Sequence, residues 1–309
     1  MIRSVGAAPS GYLAIGDDVA VVPVRGGKLV VKVDMLVEGT DVPPGMTYRQ
    51  AARKAVAACV SDFAAKGVRP DSFLVSLGLR KGTTQEQIEQ LGKGLSDAED
   101  EWGLTLVGGD TNEAKELVID CAMTGFAKKV VGRRGVRVGD ALVVTGPFGY
   151  QPAGLKILID GATAERAFRA RATESVLNPK PDLEVGLALA GYLTSGMDSS
   201  DGLARSIHTL ARASGVGFEV TALPEGAGVG RFASANGLSA EELVLVGGEE
   251  YLTVGTIRSA RLSSAARAVK RAGGELLLVG RATPEKGRVV LRAKGSTRPI
   301  ADEGWTHLR

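Results

Sequence analysis

Cysteine and histidine are almost missing from this chain of 309 residues, which has two of each. Cys59 and Cys121 sit in the apolar runs Ala-Val-Ala-Ala-Cys-Val and Val-Ile-Asp-Cys-Ala-Met. That context predicts buried free thiols and a reducing, cytoplasmic setting rather than a disulfide framework. His208 and His307 are too far apart in sequence to build a histidine-rich metal site on their own. No apolar stretch reaches the roughly 18 residues of a spanning helix, and the N-terminus lacks the long apolar core of a signal peptide. A dominant charge is missing too. Thirty-eight basic residues stand against 35 acidic ones, scattered to a net +3, so neither a nucleic-acid nor a membrane partner is expected. The Walker pattern and the loop signatures of protein kinases are also absent.

Glycine is plentiful, with 42 residues, and its placement is informative. The glycines are not periodic, which excludes collagen and low complexity. They cluster beside carboxylates instead: Gly16-Asp17-Asp18, Gly108-Gly109-Asp110, Asp201-Gly202 and Gly247-Gly248-Glu249-Glu250.

The length suits two domains, each with its own core. Residues 1–14 read as a mobile, glycine-containing arm. Val19 to Val24 and Lys28 to Asp34 flank Arg25-Gly26-Gly27 and predict a hairpin. Thr47 with Gln50 forms a capping box for a helix that Gly67 stops, and Thr83 with Glu86 opens a second helix reaching Trp102. Ser72 to Leu79, Leu104 to Val107 and Leu117 to Ala127 read as strands, the second running out into a Gly108-Gly109-Asp110 loop. The charged, glycine-bearing stretch from Lys128 to Asp140 marks a boundary, giving an N-terminal domain of residues 1–135 and a C-terminal domain of 136–309. In the second half, strands are expected at 141–145, 216–221, 251–257, 275–281 and 288–292. Helices are expected near 152–160, 163–172, 182–194, from Asp201-Gly202 to Ser214, and at 259–272. Both halves are therefore mixed α and β.

Carboxylates fall at the ends of these elements, where side chains converge: Asp17, Asp18, Asp34, Asp110, Asp198 and Asp201. Asp62 stands apart, inside a predicted helix among Ala55, Val56, Ala58, Val60, Phe63 and Ala64. Burying it unpaired would be costly, and either a metal ion or a lysine relieves that cost. A convergence of oxygen ligands without His or Cys suits Mg²⁺ or Mn²⁺ rather than zinc, and Mg²⁺ held by carboxylates commonly also binds substrate phosphates. Gly108-Gly109 would let backbone N–H groups approach such phosphates.

Several stretches, taken in order, resemble the thiamine-monophosphate kinases, a family related to aminoimidazole ribonucleotide synthetases, selenophosphate synthetases and a hydrogenase-maturation protein. They are Ile15-Gly16-Asp17-Asp18, Asp34 to Gly39, Ser61 to Gly67, Gly108 to Thr111, Arg133 to Asp140, Asp198 to Leu203, Gly247 to Tyr251 and Gly304-Trp305-Thr306-His307. The resemblance implies an α+β fold of two α/β domains, the first forming a β-barrel shared across a homodimer and flanked by helices, the second a mixed sheet with helices. It implies ATP as co-substrate, several Mg²⁺ ions and thiamine monophosphate as acceptor. It carries over metal contacts to Asp17, Asp18, Asp34, Asp62, Asp110, Asp198 and Asp201, and ATP contacts to Gly109, Asp110, Arg133 and Ser200. Substrate contacts fall on Asp41, Glu249 and Trp305, and the catalytic assignments on Asp34, Asp62, Asp110 and Arg133. Trp305 has a physical rationale of its own, since an aromatic face stacks on a cationic ring.

The chain departs from the family pattern at Lys32-Val33 (usually Ser-Thr), Asp41 (His), Gly149-Tyr150-Gln151 (Gly-Asp-Ser) and Ser206 (Asp). Such changes also suit the alternatives: another ATP-dependent enzyme of the superfamily, or a catalytically silent nucleotide binder. The selenophosphate branch is disfavoured, because the first 18 residues hold neither Cys nor Lys.

Overall fold

The computed structural model describes residues 16–293 and 295–306. The N-terminal arm and His307 lie outside the described residues. The first unit opens with a hairpin, β1 (Ala20–Val24) and β2 (Gly27–Val37), as the β-rich runs around Gly26 and Gly27 predict. A short helix α1 (Glu38–Asp41) leads to α2 (Tyr48–Lys66), then β3 (Pro70–Arg80), α3 (Gln85–Trp102), β4 (Thr105–Ala114) and β5 (Val118–Ala127). The strands make an open, mixed sheet in the order β1-β2-β5-β3-β4, with β3 and β4 parallel.

Helix α2 starts where the sequence says it should. The Thr47 hydroxyl accepts the Gln50 N–H, the Gln50 side chain answers the Thr47 N–H, and Gly67 ends the helix at φ 64°. That reciprocal cap is worth about 1 kcal/mol. The second cap falls one residue later than expected, on Thr84 with Gln87. Both threonines fit the pattern, but the Thr83 hydroxyl donates to the Arg80 carbonyl and closes the preceding turn. Strand β4 also corrects the reading. It does not stop at Val107 but, past a bulge at that residue, continues through Gly108-Gly109-Asp110, because β3 pairs with it residue by residue from Gly108 to Ala114. Gly109 has a packing reason to be glycine there, since a Cβ would stand 2.1 Å from the Val75 carbonyl oxygen.

The second unit runs β6 (Ala141–Val144), α4 (Tyr150–Ile159), α5 (Arg166–Leu177), α6 (Leu183–Ala190), β7 (Leu193–Asp198), α7 (Leu203–Ser214) and β8 (Gly217–Val220). It continues through α8 (Val229–Ala235), α9 (Ala240–Leu245), β9 (Thr253–Ile257), α10 (Leu262–Arg271), β10 (Leu277–Thr283), β11 (Val289–Ala293) and β12 (Ser296–Pro299). Its seven strands form one mixed sheet in the order β12-β11-β8-β10-β6-β9-β7. Alternation along β6 sorts its two faces. Leu142 and Val144 join the core that holds Leu203, Ile207 and Phe218, whereas Ala141 and Val143 join Val185, Leu189 and Val269. Strand β7 replaces the tail of a helix expected to reach residue 194. Its sequence, Leu-Thr-Ser-Gly-Met-Asp, carries no β-like apolar alternation, yet Ser195 and Gly196 are buried against β9.

The N-terminal core gathers Val30, Val60, Phe63, Phe73 and Met123 between α2 and the first sheet. The same helix also meets the second unit. Gly186 of α6 comes so close that a Cβ there would lie 2.3 Å from the Ala64 carbonyl oxygen, and Lys66 donates to the Gly196 carbonyl at 2.7 Å. Helix α2 is thus clamped between the two sheets, and it carries Asp62 into their junction. Both cysteines are buried and free, as their apolar runs predict. No helix among the described residues is long and apolar enough to cross a membrane.

Candidate active site at the junction of the two sheets

Strand register decides which predicted carboxylates meet. Asp34 lies in a row with Cys121, Val75 and Gly109, of which Cys121 and Val75 are buried against α2. Asp110 lies in the next row, with Ser76, Asp120 and Met35, and therefore points from the opposite face of the sheet. Asp110 is exposed and, three strand spacings from β2, about 14 Å away. Within one chain, neither Gly109 nor Asp110 joins the other candidates.

The remaining carboxylates converge. Oxygens of Asp18, Asp62 and Asp198, all buried, lie within 4.8 Å of one another. Asp18 comes from the segment before β1, Asp62 from α2 and Asp198 from the end of β7, so both units contribute. Ser61 donates its hydroxyl to Asp198 at 3.0 Å. Lys66, fully buried, reaches Asp17 at 2.5 Å and Asp18 at 2.7 Å. Arg133 also pairs with Asp18, donates to the Gly16 carbonyl at 2.6 Å, and gives its backbone N–H to Asp17. Lys32 of β2 sits 2.7 Å from Asp62 and 3.8 Å from Asp34.

The electrostatics follow these partners. Burial acts to raise the Asp18 carboxyl, but Lys66 and Arg133 outweigh it and hold the group below the ordinary range. Burial, with Asp198 nearby, pushes Asp62 well above that range despite Lys32. Burial and Asp18 push Asp198 up to about 6. Buried carboxylates held this close repel one another, and a cation among them would relieve both the repulsion and the cost of burial. The donors are all oxygen, from buried and convergent side chains, and so suit Mg²⁺ or Mn²⁺.

The cluster opens into a cleft of about 1070 Å³ lined by both units. Asp34, Asp41, Ser200, Asp201, Glu249 and Trp305 line it as well. At its far end buried Lys54 reaches Glu249 at 2.7 Å and donates to the Asp41 carbonyl at 2.8 Å. Asp41 lines the cleft with its carboxylate already engaged. Its carboxylate accepts the Val37 N–H at 2.7 Å and the Thr40 hydroxyl at 2.9 Å, fastening α1 to the end of β2.

Glu249 and Tyr251 adopt left-handed backbone, φ 61° and 51°, and the segment is strapped down by Glu249 N–H to the Ser200 carbonyl and Tyr251 N–H to the Ser199 carbonyl. Strain of this kind is held only where surrounding structure enforces it, commonly at binding sites. Ser206 lies outside the cleft, buried against Ser199 and the Gly202 carbonyl.

Sequence motifs assign no role to three lysines of the site, Lys32, Lys54 and Lys66. For two of them a signal existed. Lys54, Ala58, Asp62 and Lys66 recur every fourth residue, so one face of α2 carries all of them.

Known proteins with the same architecture share most of this length. Residues 16–127 match the family model of the N-terminal domain of AIR synthase related proteins, and residues 137–292 match that of the C-terminal domain. A thiamine-monophosphate kinase of Nitrosopumilus maritimus (strain SCM1) is 38% identical over 281 residues, 91% of this chain and 89% of that protein. One from Pyrococcus horikoshii is 31% identical over 96% of this chain and 91% of its own length. Among solved structures, one from Thermus thermophilus superposes with a TM-score of 0.88 at 31% identity, over 97% of this chain and 95% of that one. Another, AaThiL complexed with AMPPCP and TMP, superposes at 0.85 with 27% identity, over 95% and 92%.

Proposed function

The chain belongs to the AIR synthase related family, among its thiamine-monophosphate kinases, and from that premise we propose that it transfers the γ-phosphoryl group of ATP directly to the phosphate of thiamine monophosphate, forming thiamine diphosphate. The observation that carries the reading is the polarity of the cleft. One end is a buried carboxylate cluster suited to metal-bound phosphates, and the other offers Glu249 and the half-exposed face of Trp305 to a cationic ring.

The acceptor is a phosphomonoester, largely dianionic at neutral pH because its second pKa is near 6. No general base is needed, and the described cleft lining holds no histidine. What the protein must supply is positioning and relief of repulsion between two anions. Asp18, Asp62 and Asp198 would hold the divalent ion, whose chemistry there is to screen the phosphates and align them. Asp34 adjoins that ion site through Lys32, and Asp201 lines the same cleft. Arg133 orients Asp18 and would lend its charge to the ATP phosphates from beside that carboxylate. Ser200 fixes the Glu249 segment through its carbonyl.

Asp110 and Gly109 enter this account only through a second copy. The sheet face bearing Asp110 also exposes Val33, Met35 and Leu74, and a second copy packed on that face would bury them and bring Asp110 to a shared site.

The test is Mg²⁺-dependent ADP release with thiamine monophosphate, thiamine or no acceptor. Release should depend on thiamine monophosphate. Asp62→Asn should lower it at least about 100-fold while the circular dichroism spectrum stays unchanged. Acceptor-independent release, or normal rates in that variant, would overturn the proposal.

A further inference from the structure

Lys32 occupies a place that the proposed chemistry assigns to cations. It projects from the face of β2 that packs on α2, and its ammonium lies 2.7 Å from the buried carboxylate of Asp62 and 3.8 Å from Asp34. Among the described residues, the carboxylates of Asp17, Asp18, Asp34, Asp62 and Asp198 meet the cations Lys32, Lys66 and Arg133 at the junction, and Asp41 and Asp120 act on Asp34 from outside that group. Lys66 and Arg133 are committed to Asp17 and Asp18. Among the described residues, Lys32 is the cation paired with Asp62 and Asp34. Set against the five carboxylates they meet, the three cations leave an excess of about two negative charges, which one divalent ion among Asp18, Asp62 and Asp198 would neutralise.

We propose that the Lys32 ammonium is a built-in cation of this site, taking the position between Asp62 and Asp34 that would otherwise need a divalent ion of its own, so that the protein itself holds one metal ion rather than several. The inference deepens the reading above and rests on it.

An ammonium suits the position. It is a compact point charge with three donors, enough to bridge two carboxylates and leave one donor for a phosphate oxygen. Its side chain is 20% exposed and lines the cleft, so that third donor faces the space the phosphates would enter. Unlike a metal ion, it cannot be removed by a chelator. The part of the charge screening that Lys32 supplies is therefore permanent and independent of metal concentration.

The test counts Mn²⁺ bound per chain, by the electron-paramagnetic-resonance signal of free Mn²⁺, in the wild type and in Lys32→Met, which keeps the length but not the charge. The wild type should hold one ion in the absence of nucleotide, and Lys32→Met one more. The melting temperature gives a second readout. In EDTA, Lys32→Met should melt below the wild type, and Mn²⁺ should restore it, whereas Lys32→Arg should behave as the wild type in both measurements. Equal, non-zero counts in the wild type and Lys32→Met would overturn the inference while leaving the metal cluster standing. Two or more ions on the wild type without nucleotide would also overturn it, and this outcome can be read even if the methionine variant does not fold. No Mn²⁺ on either protein would remove the metal-cluster reading and the inference with it.

Discussion

Asp62 and Glu250 are both carboxylates buried among apolar neighbours, and their partners give them different roles. Asp62 has Lys32 and two other carboxylates, so its charge belongs to a cation site. Glu250 has the Gly149 N–H, and burial raises its carboxyl to about 8. At neutral pH it is a protonated structural group fixing the turn before α4. Its folded value lies above the unfolded one, near 4.5, so the unfolded chain loses this proton first as pH rises. Stability is therefore expected to fall between about pH 4.5 and 8, by a few kcal/mol at most from this group. Glu250→Gln should flatten that decline in urea unfolding measured at pH 5, 7 and 9. An unchanged slope would show that Glu250 is ionised in the native protein.

At this scale Asp62 was legible in the sequence, because a carboxylate inside an apolar helical run needs a partner. Which partner it had was not, since Lys32 reaches it across a strand–helix contact that no local spacing encodes.

Among the elements, α2 was the most legible and matters most to the site. Its cap and its stop at Gly67 agreed with local rules, and its fourfold spacing places Lys54, Asp62 and Lys66 on one side. Strand β4 was misread because glycines are turn signals in a single chain. Here Gly109 is required by the closeness of β3, a partner that only the folded sheet supplies. The same is true of Gly186, whose missing Cβ lets α6 approach α2. Gly186→Val should push the two units apart at the cleft and lower the melting temperature by about 5 °C or more, as overpacking of a well-packed contact does. Differential scanning calorimetry measures it. A melting temperature within about 1 °C of the wild type would mean that the contact yields without cost.

For the whole molecule, the division into two mixed sheets followed from the alternating patterns and from the charged segment between Ala127 and Ala141. The position of Asp110 did not, because a one-residue difference in register reverses the face of a strand. The described first sheet is open, and its outward face carries Met35, 60% exposed, and Val33, 56% exposed. If a second copy covers that face, light scattering should give a mass near twice the chain mass of 32.0 kDa. Val33→Glu with Met35→Glu should then yield a monomer with greatly reduced turnover, since Asp110 would leave the shared site. A wild-type monomer with full activity would contradict the dimer and remove Asp110 from the catalytic set.

The central claim is transfer of the γ-phosphoryl group of ATP to the phosphate of thiamine monophosphate in the cleft. The measurement that tests it most directly is mass spectrometry of the product made from ATP labelled with heavy oxygen in the three non-bridging positions of its γ-phosphoryl group. Such transfer predicts thiamine diphosphate carrying all three labels, formed mole for mole with ADP. Label recovered in free inorganic phosphate, with thiamine monophosphate left unchanged, would contradict it.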